Sequence, residues 1–134
     1  MSNVRLFMTR SIRAVGLGFL VYVVATFAVG QATPFLYSKI ETPSELSELY
    51  VQLAVAIGVI PYLVSGYLAG RIARAQGLVF GLASTTIGFA LIYIVWLPHE
   101  PLGSGAISGH ALFLLVACLA GGVGELHASK YKRA

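Results

Sequence analysis

Polar side chains are scarce within the apolar runs of this 134-residue sequence, so each one is a candidate for chemistry. Gln31, Gln52, Tyr62 and His110 lie in or beside such runs and could line a polar pathway. The simpler interpretation is interfacial side chains or interhelical hydrogen bonds, worth about 1 kcal/mol each. We predict no catalytic residue, because no nucleophile is accompanied by a base.

A metal site is not predicted either. His99, Glu100 and His110 could in principle meet as ligands, but only the first two are close in sequence, and adjacent residues rarely chelate one ion together. The single cysteine, Cys118, excludes an internal disulfide, a CxxC redox pair and a zinc site that needs two sulfurs from this chain. We therefore expect no cofactor.

Glu125 is the one acidic residue near the carboxy terminus, and it follows the fourth apolar run. A carboxylate at the carboxy-terminal end of a helix faces the negative end of the helix dipole and needs compensation. We predict an ion pair with Arg71 or Arg74, provided that the second and fourth apolar helices are neighbours. The alternative is a solvated surface charge.

The stretch from Val64 to Gly81 contains four glycines, two arginines and no acid. It lacks the Lys-Ser/Thr pair and the glycine spacing of phosphate-binding loops. It has instead two Gly-x-x-x-Gly motifs around a connector, residues 71–76, which predicts a hairpin of closely packed helices. The same small-residue stripes could alternatively form a seam between copies of the chain. The predicted helix-packing residues are Gly18, Gly66, Gly70, Gly77, Gly81, Ser84, Gly88 and Gly121.

The composition indicates what surrounds these residues. The chain is 57% hydrophobic and 10% charged, whereas soluble domains carry about 25% charged residues. Too few charges are present to form a polar shell, which points to lipid as the solvent. The formal charge is +4, but the cations are spread among short connectors, so nucleic acid is not an expected partner.

Four charge-free runs stand out, at residues 14–33, 49–70, 77–97 and 106–124. Each approaches the roughly 20 residues that cross a bilayer as a helix. We predict an all-α fold: a single transmembrane domain, residues 1–134, forming an integral membrane four-helix bundle. Pro61 should kink the second helix and free a carbonyl near Ile57 or Gly58. The first run could be a cleaved signal peptide, but we interpret it as a retained helix.

The positions of the cations predict the orientation. Eight of the nine lysines and arginines lie in the two terminal tails or the second connector, and only Lys39 lies on the other side. The positive-inside rule then places both termini in the cytosol, with residues 34–48 and 98–105 facing outward. We expect a multi-pass protein of the bacterial cytoplasmic (inner) membrane with a single topology.

The segment Gly66-Tyr-Leu-Ala-Gly-Arg-Ile-Ala73, followed by Gln76-Gly77 and Gly81-Leu82, resembles a group of small, largely uncharacterised bacterial four-helix membrane proteins. These share a Gly-Tyr-x-Ala-Gly-Arg-x-Ala hairpin. The resemblance covers about a fifth of the chain. It implies the four-helix architecture and no reaction.

Two functions remain open from these patterns. The first is a non-enzymatic accessory, assembly or stabilising subunit of a larger membrane complex, with membrane lipids and other subunits as partners. The alternative is a small transporter or channel for a small solute, working as a homo-oligomer, with a site near the discontinuity at Pro61. The basic rim that includes Arg5, Arg10 and Arg13 is expected to meet anionic lipid headgroups.

Overall fold

The computed structural model describes residues 2–38, 46–96 and 104–131, and every regular element within them is a helix. The helices are α1 (Ser2–Tyr37), α2 (Leu46–Gly58), α3 (Ile60–Ala73), α4 (Gly77–Trp96) and α5 (Ser104–Lys130). Counting α2 and α3 as one interrupted span, four helices in the described ranges are long and apolar enough to cross a membrane. This confirms the all-α prediction and the number of apolar helices.

The second span is interrupted at Val59, as the sequence predicted from Pro61. Proline has no N–H, so the carbonyl of Ile57 loses its usual donor four residues along the helix. Helical hydrogen bonds continue on both sides: the Val59 N–H donates to Val55 at 3.1 Å, and the Leu63 N–H donates to Val59 at 3.0 Å. Pro61 lies in the first turn of α3, where its missing donor is tolerated.

Several helices extend beyond the charge-free runs. The first helix was predicted to end at Thr33, yet α1 continues through Pro34 to Tyr37 and also includes the arginines near the amino terminus. Helix α5 runs on to Lys130, so Glu125 lies inside a helix rather than at its end. Where α1 and α5 extend into charged segments, the reason is that arginine, lysine and glutamate are good helix formers, so charge marks the end of an apolar run and not the end of a helix.

The turn between α3 and α4 is shorter than predicted, three residues from Arg74 to Gln76. Arg74 (φ 58°) and Gln76 (φ 54°) both adopt the left-handed conformation, which favours glycine. The Arg74 N–H donates to the Gly70 carbonyl at 3.1 Å and closes the end of α3. The two helices therefore reverse direction within a single tight turn.

Helices α3 and α4 form the middle of the bundle. Both contact α1 on one side and α5 on the other, whereas the backbones of α1 and α5 stay more than 8 Å apart, Cα to Cα, in the described ranges. Small side chains fill the contacts, and Ala14, Ala69 and Ala117 are fully buried. Large apolar side chains such as Leu20 and Leu126 point outward. The packing is thus inverted relative to a water-soluble protein, with small residues inside and large ones outside.

Candidate functional site

Hydroxyl side chains occupy the centre of the bundle. Ser65 of α3 donates to the Gly18 carbonyl of α1 at 2.7 Å, and its oxygen lies 3.3 Å from the Ser84 hydroxyl of α4. Thr85, also on α4, bonds back to the Gly81 carbonyl at 2.9 Å. All three hydroxyl residues are fully buried. Ser65 thus connects three helices through hydrogen bonds, and none of the three hydroxyl residues has exposed surface.

Glycines let α5 approach α3 and α4 backbone to backbone. A methyl group added at Gly66 would collide with the Ala117 carbonyl, and one at Gly70 or Gly77 with the Gly121 carbonyl. Gly81 faces the same two residues of α5. The nearest neighbours of both Gly-x-x-x-Gly motifs are therefore on α5, and not on the opposite arm of the hairpin as their spacing suggested.

The remaining predicted packing residues join α1 to the middle of the bundle. A Cβ at Gly18 would lie 2.8 Å from the Ser84 Cβ and 2.9 Å from the Ala69 Cβ. Gly88 lies against the ring of Tyr22, which is buried. Gly18 and Gly88 thus serve contacts within one chain.

An aromatic cluster forms beside the break between α2 and α3. The Tyr62 hydroxyl lies 2.9 Å from Nδ1 of His110, so a hydrogen bond joins α3 to α5. The Tyr22 ring meets the Tyr62 ring edge to face, with centroids 5.0 Å apart, and Phe89 lies 4.1 Å from the His110 ring. Phe113 packs against the other side of Tyr62. Tyr62 is 4% exposed, whereas Phe89, His110 and Phe113 are only partly buried.

Of the four residues predicted for a polar pathway, the structure brings together only Tyr62 and His110. The side chains of Gln31 and Gln52 are exposed on α1 and α2. Thr26 contributes a buried hydroxyl near Tyr22 that has no hydrogen bond of ordinary geometry among the described residues. The four predicted residues therefore do not form one continuous pathway, although Tyr22 and Thr26 lie beside the Tyr62–His110 pair.

Glu125 does not pair with Arg71 or Arg74. Its carboxylate accepts a hydrogen bond of 2.6 Å from the Gly77 N–H, the first residue of α4. The physical reason is that the first N–H groups of a helix lack partners and carry partial positive charge, so they compete with arginine for a carboxylate. The condition stated for the ion pair is met, since α3 and α5 are neighbours, but the partner differs.

A second tyrosine–histidine contact lies near the end of the bundle where Glu125 is found. The Tyr67 hydroxyl of α3 is 2.8 Å from Nδ1 of His127 on α5, and the His127 ring stacks on Tyr131. Sequence reasoning did not find this contact, because 60 residues separate the partners and His127 lies in no motif. The Tyr62–His110 contact joins the same two helices, so α3 and α5 are linked at two levels.

An apolar groove of about 570 Å³ runs along the outer side of the α3–α5 contact. Its floor is Ala120, which is 8% exposed, and Leu63 and Leu119 stand at its edges with 42% and 66% exposure. The remaining lining residues are Val64, Tyr67, Val116 and Val123. The groove is open on the outer surface of the bundle.

Metal ligands do not gather in the described part of the chain, where no group of three or more His, Cys, Asp or Glu side chains could hold an ion. His99 and Glu100 lie outside the described residues. Cys118 is a free, partly exposed thiol on α5.

No protein family, curated protein or solved structure matches this chain. Fold and contacts define its class: an all-helical protein whose described residues form four helices apolar enough to cross a membrane. Its function must be inferred from its own residues.

Proposed function

We propose that this chain is a non-enzymatic accessory subunit of a larger membrane complex. It crosses the bacterial cytoplasmic membrane four times, with both termini and the α3–α4 turn in the cytosol, and holds a helix of a partner subunit in the α3–α5 groove. The observation that carries the proposal is a bundle centre closed by buried hydroxyls and backbone contacts, together with an open apolar groove on the outside.

The closed interior favours a structural role. Ser65, Ser84 and Thr85 have no exposed surface, and the hydrogen bonds among them and to backbone carbonyls use their donors within the bundle. Backbone contact at Gly70 and Gly121 leaves no space between α3 and α5. A solute crossing this single bundle would have to separate helices that touch directly.

The groove has the features of a helix-binding surface in lipid. Helix association in a bilayer depends on close packing, because lipid tails are as apolar as leucine and provide no hydrophobic driving force. A small floor residue, Ala120, between larger edges such as Leu63 and Leu119 lets a second helix approach closely. A disordered lipid chain fills such a groove less well than a helix with its own small residues.

Site-specific photo-crosslinking in cells tests this proposal. A photoreactive amino acid replaces Leu119 in the groove or, as the matched control, Val24 on α1; both positions are mid-helix, with 66% and 60% exposure. We expect one dominant protein adduct at Leu119 that is absent at Val24. Its mass should not be a multiple of the 14.2 kDa chain, and the partner should co-purify in fixed stoichiometry.

Two results would contradict the subunit proposal. Equal protein adducts at both positions would mean that the groove is not a specific surface. Adducts at Leu119 made only with a second copy of this chain would indicate a homo-oligomer and favour the alternative.

That alternative is a small transporter or channel, and one observation favours it. The Tyr62–His110 hydrogen bond lies next to the helix break at Val59, and interrupted helices provide substrate sites in many transporters. If the chain transports a solute, the purified homo-oligomer should move it across liposomes, and Tyr62→Phe should slow transport without dispersing the oligomer. Under the subunit proposal, liposomes with the purified chain show no more flux than empty ones.

A further inference from the structure

Four arginines meet in one pocket where α1 lies beside the end of α3. Arg10 and Arg13 come from α1, while Arg71 comes from α3 and Arg74 from the turn after it. Arg10 and Arg13 are three residues apart, a spacing that places them on the same side of α1. Arg74 lies beyond the last turn of α3, and it lines the same pocket as Arg71. The pocket has a volume of about 450 Å³, and its other lining residues are Leu68 and Ile72.

The charges in this pocket are not neutralised within the described chain. No carboxylate lines it, and the four guanidinium groups are all exposed and make no ion pair there. Glu125 is bonded to the Gly77 N–H instead. Like charges held near one another raise the free energy of the folded chain, so an anion that enters the pocket is bound favourably.

Arg74 occupies a backbone position that disfavours it. Its φ of 58° lies in the left-handed region, where glycine has no steric penalty and arginine does. A residue kept in such a conformation often serves a function at that place. Here the conformation places the Arg74 side chain in the same pocket as Arg71.

We propose that this pocket binds the headgroup of an anionic phospholipid that carries two phosphates. Arginine binds phosphate oxygens through two parallel hydrogen bonds, and two arginine pairs match two phosphates. Leu68 and Ile72 provide an apolar surface for the glycerol and the first acyl carbons of the lipid. A free phosphate has no such carbons to place on this surface. The pocket also lies at the carboxy-terminal end of α3 and beside the amino-terminal third of α1, and both helices belong to spans apolar enough to cross a membrane. Basic pockets near the ends of such helices meet headgroups. Lipid binding and the proposed function both require that the chain lies in a bilayer, but lipid binding does not depend on the partner subunit.

Lipid binding by the purified full chain in a neutral detergent provides the test. The probe is cardiolipin, and its binding is compared with that of phosphatidylglycerol at equal total charge, of phosphatidylcholine and of inorganic pyrophosphate. Native mass spectrometry counts the bound ligands. The double variant Arg10→Gln/Arg71→Gln removes one cation from each side of the pocket. Its control, Arg5→Gln/Lys130→Gln, removes the same charge from exposed positions that do not line the pocket.

We expect one tightly bound cardiolipin per chain. The pocket variant should weaken its affinity by about fivefold per arginine, roughly 25-fold together. The control should change it less than about threefold. Equal losses in the two variants would mean a diffuse charge effect and overturn the pocket. Equal affinity for cardiolipin and phosphatidylglycerol would overturn the two-phosphate assignment, and pyrophosphate binding as tight as cardiolipin would overturn the lipid. None of these readouts involves the α3–α5 groove.

Discussion

At the scale of single residues, the packing of the bundle depends on glycines, which have no side chain. Gly70, Gly77 and Gly121 lie where one added methyl group would collide with a backbone carbonyl of the facing helix. Backbone atoms cannot swing aside as a long side chain can, so the helices themselves would have to separate. The close contact also brings peptide groups together in a region where packing is the main attraction between helices.

Gly70→Ala is therefore expected to destabilise the chain by about 3 kcal/mol, the upper part of the usual range for overpacking. The matched control is Gly16→Ala on α1, where an added Cβ meets nothing within 4 Å. That change should stabilise the chain by about 0.5–1 kcal/mol, because alanine is the better helix former. Thermal unfolding in detergent micelles measures both. Equal effects of the two substitutions would rule out the described contact.

The contact of Glu125 with the first N–H of α4 leads to a graded prediction. Glu125→Gln keeps an acceptor oxygen and should cost about 1 kcal/mol, whereas Glu125→Lys leaves the Gly77 N–H without its acceptor and should cost about 2–3 kcal/mol. The lysine also brings positive charge to the positive end of the α4 dipole. Denaturant unfolding of the three proteins in one detergent gives the comparison. A lysine variant as stable as the original chain is incompatible with this contact.

The sequence identified these residues as contact positions, but it did not identify the residues that they contact. Small-residue spacing identified Gly66 and Gly70 as contact positions, since such spacing is a local property of one helix. Which helix they face depends on how all the helices pack together, and it proved to be α5. The Tyr67–His127 contact could not be predicted for the same reason, and the partner of Glu125 was missed because a backbone N–H has no sequence signature.

At the scale of elements, two local features shape the second and third spans. The break at Val59 follows from the missing N–H of Pro61 and was predictable from one residue. The turn from Arg74 to Gln76 was not, because both non-glycine residues adopt positive φ values that their types disfavour. The charge-free runs predicted the number of spans correctly, but this method has a limit. It underestimated their length, since α1 and α5 continue into charged segments.

The strain in this turn can be measured at Gln76, whose side chain does not line the arginine pocket. Gln76→Gly removes the Cβ that makes the left-handed conformation costly and should stabilise the chain by about 1 kcal/mol. Gln76→Ala keeps the Cβ and should bring no comparable gain. The unfolding midpoints of the two variants, each compared with that of the original chain, measure this difference in stability. A stabilisation by alanine equal to that by glycine would show that the turn is not strained at this residue.

At the scale of the whole molecule, α3 and α4 form a closed centre and α1 and α5 flank it. Large apolar side chains cover the outside, the arginine pocket lies at one end, and the groove follows the α3–α5 contact. Composition pointed to lipid as the solvent, because 10% charged residues cannot cover a soluble domain of this size, and the four charge-free runs predicted the helices. The groove and the pocket depend on which helices are adjacent, so only the folded chain places their residues together.

The central claim is that the chain crosses a bilayer four times, with the arginine pocket on the cytosolic side. Single cysteines introduced as Gln76→Cys, Lys130→Cys or Ser38→Cys into a Cys118→Ser background, and treated with a membrane-impermeant maleimide, test it most directly; all three positions are exposed. Intact spheroplasts should be labelled at position 38 only, and lysed ones at all three positions. Labelling of positions 76 and 130 in intact spheroplasts, or equal labelling everywhere, would contradict the claim.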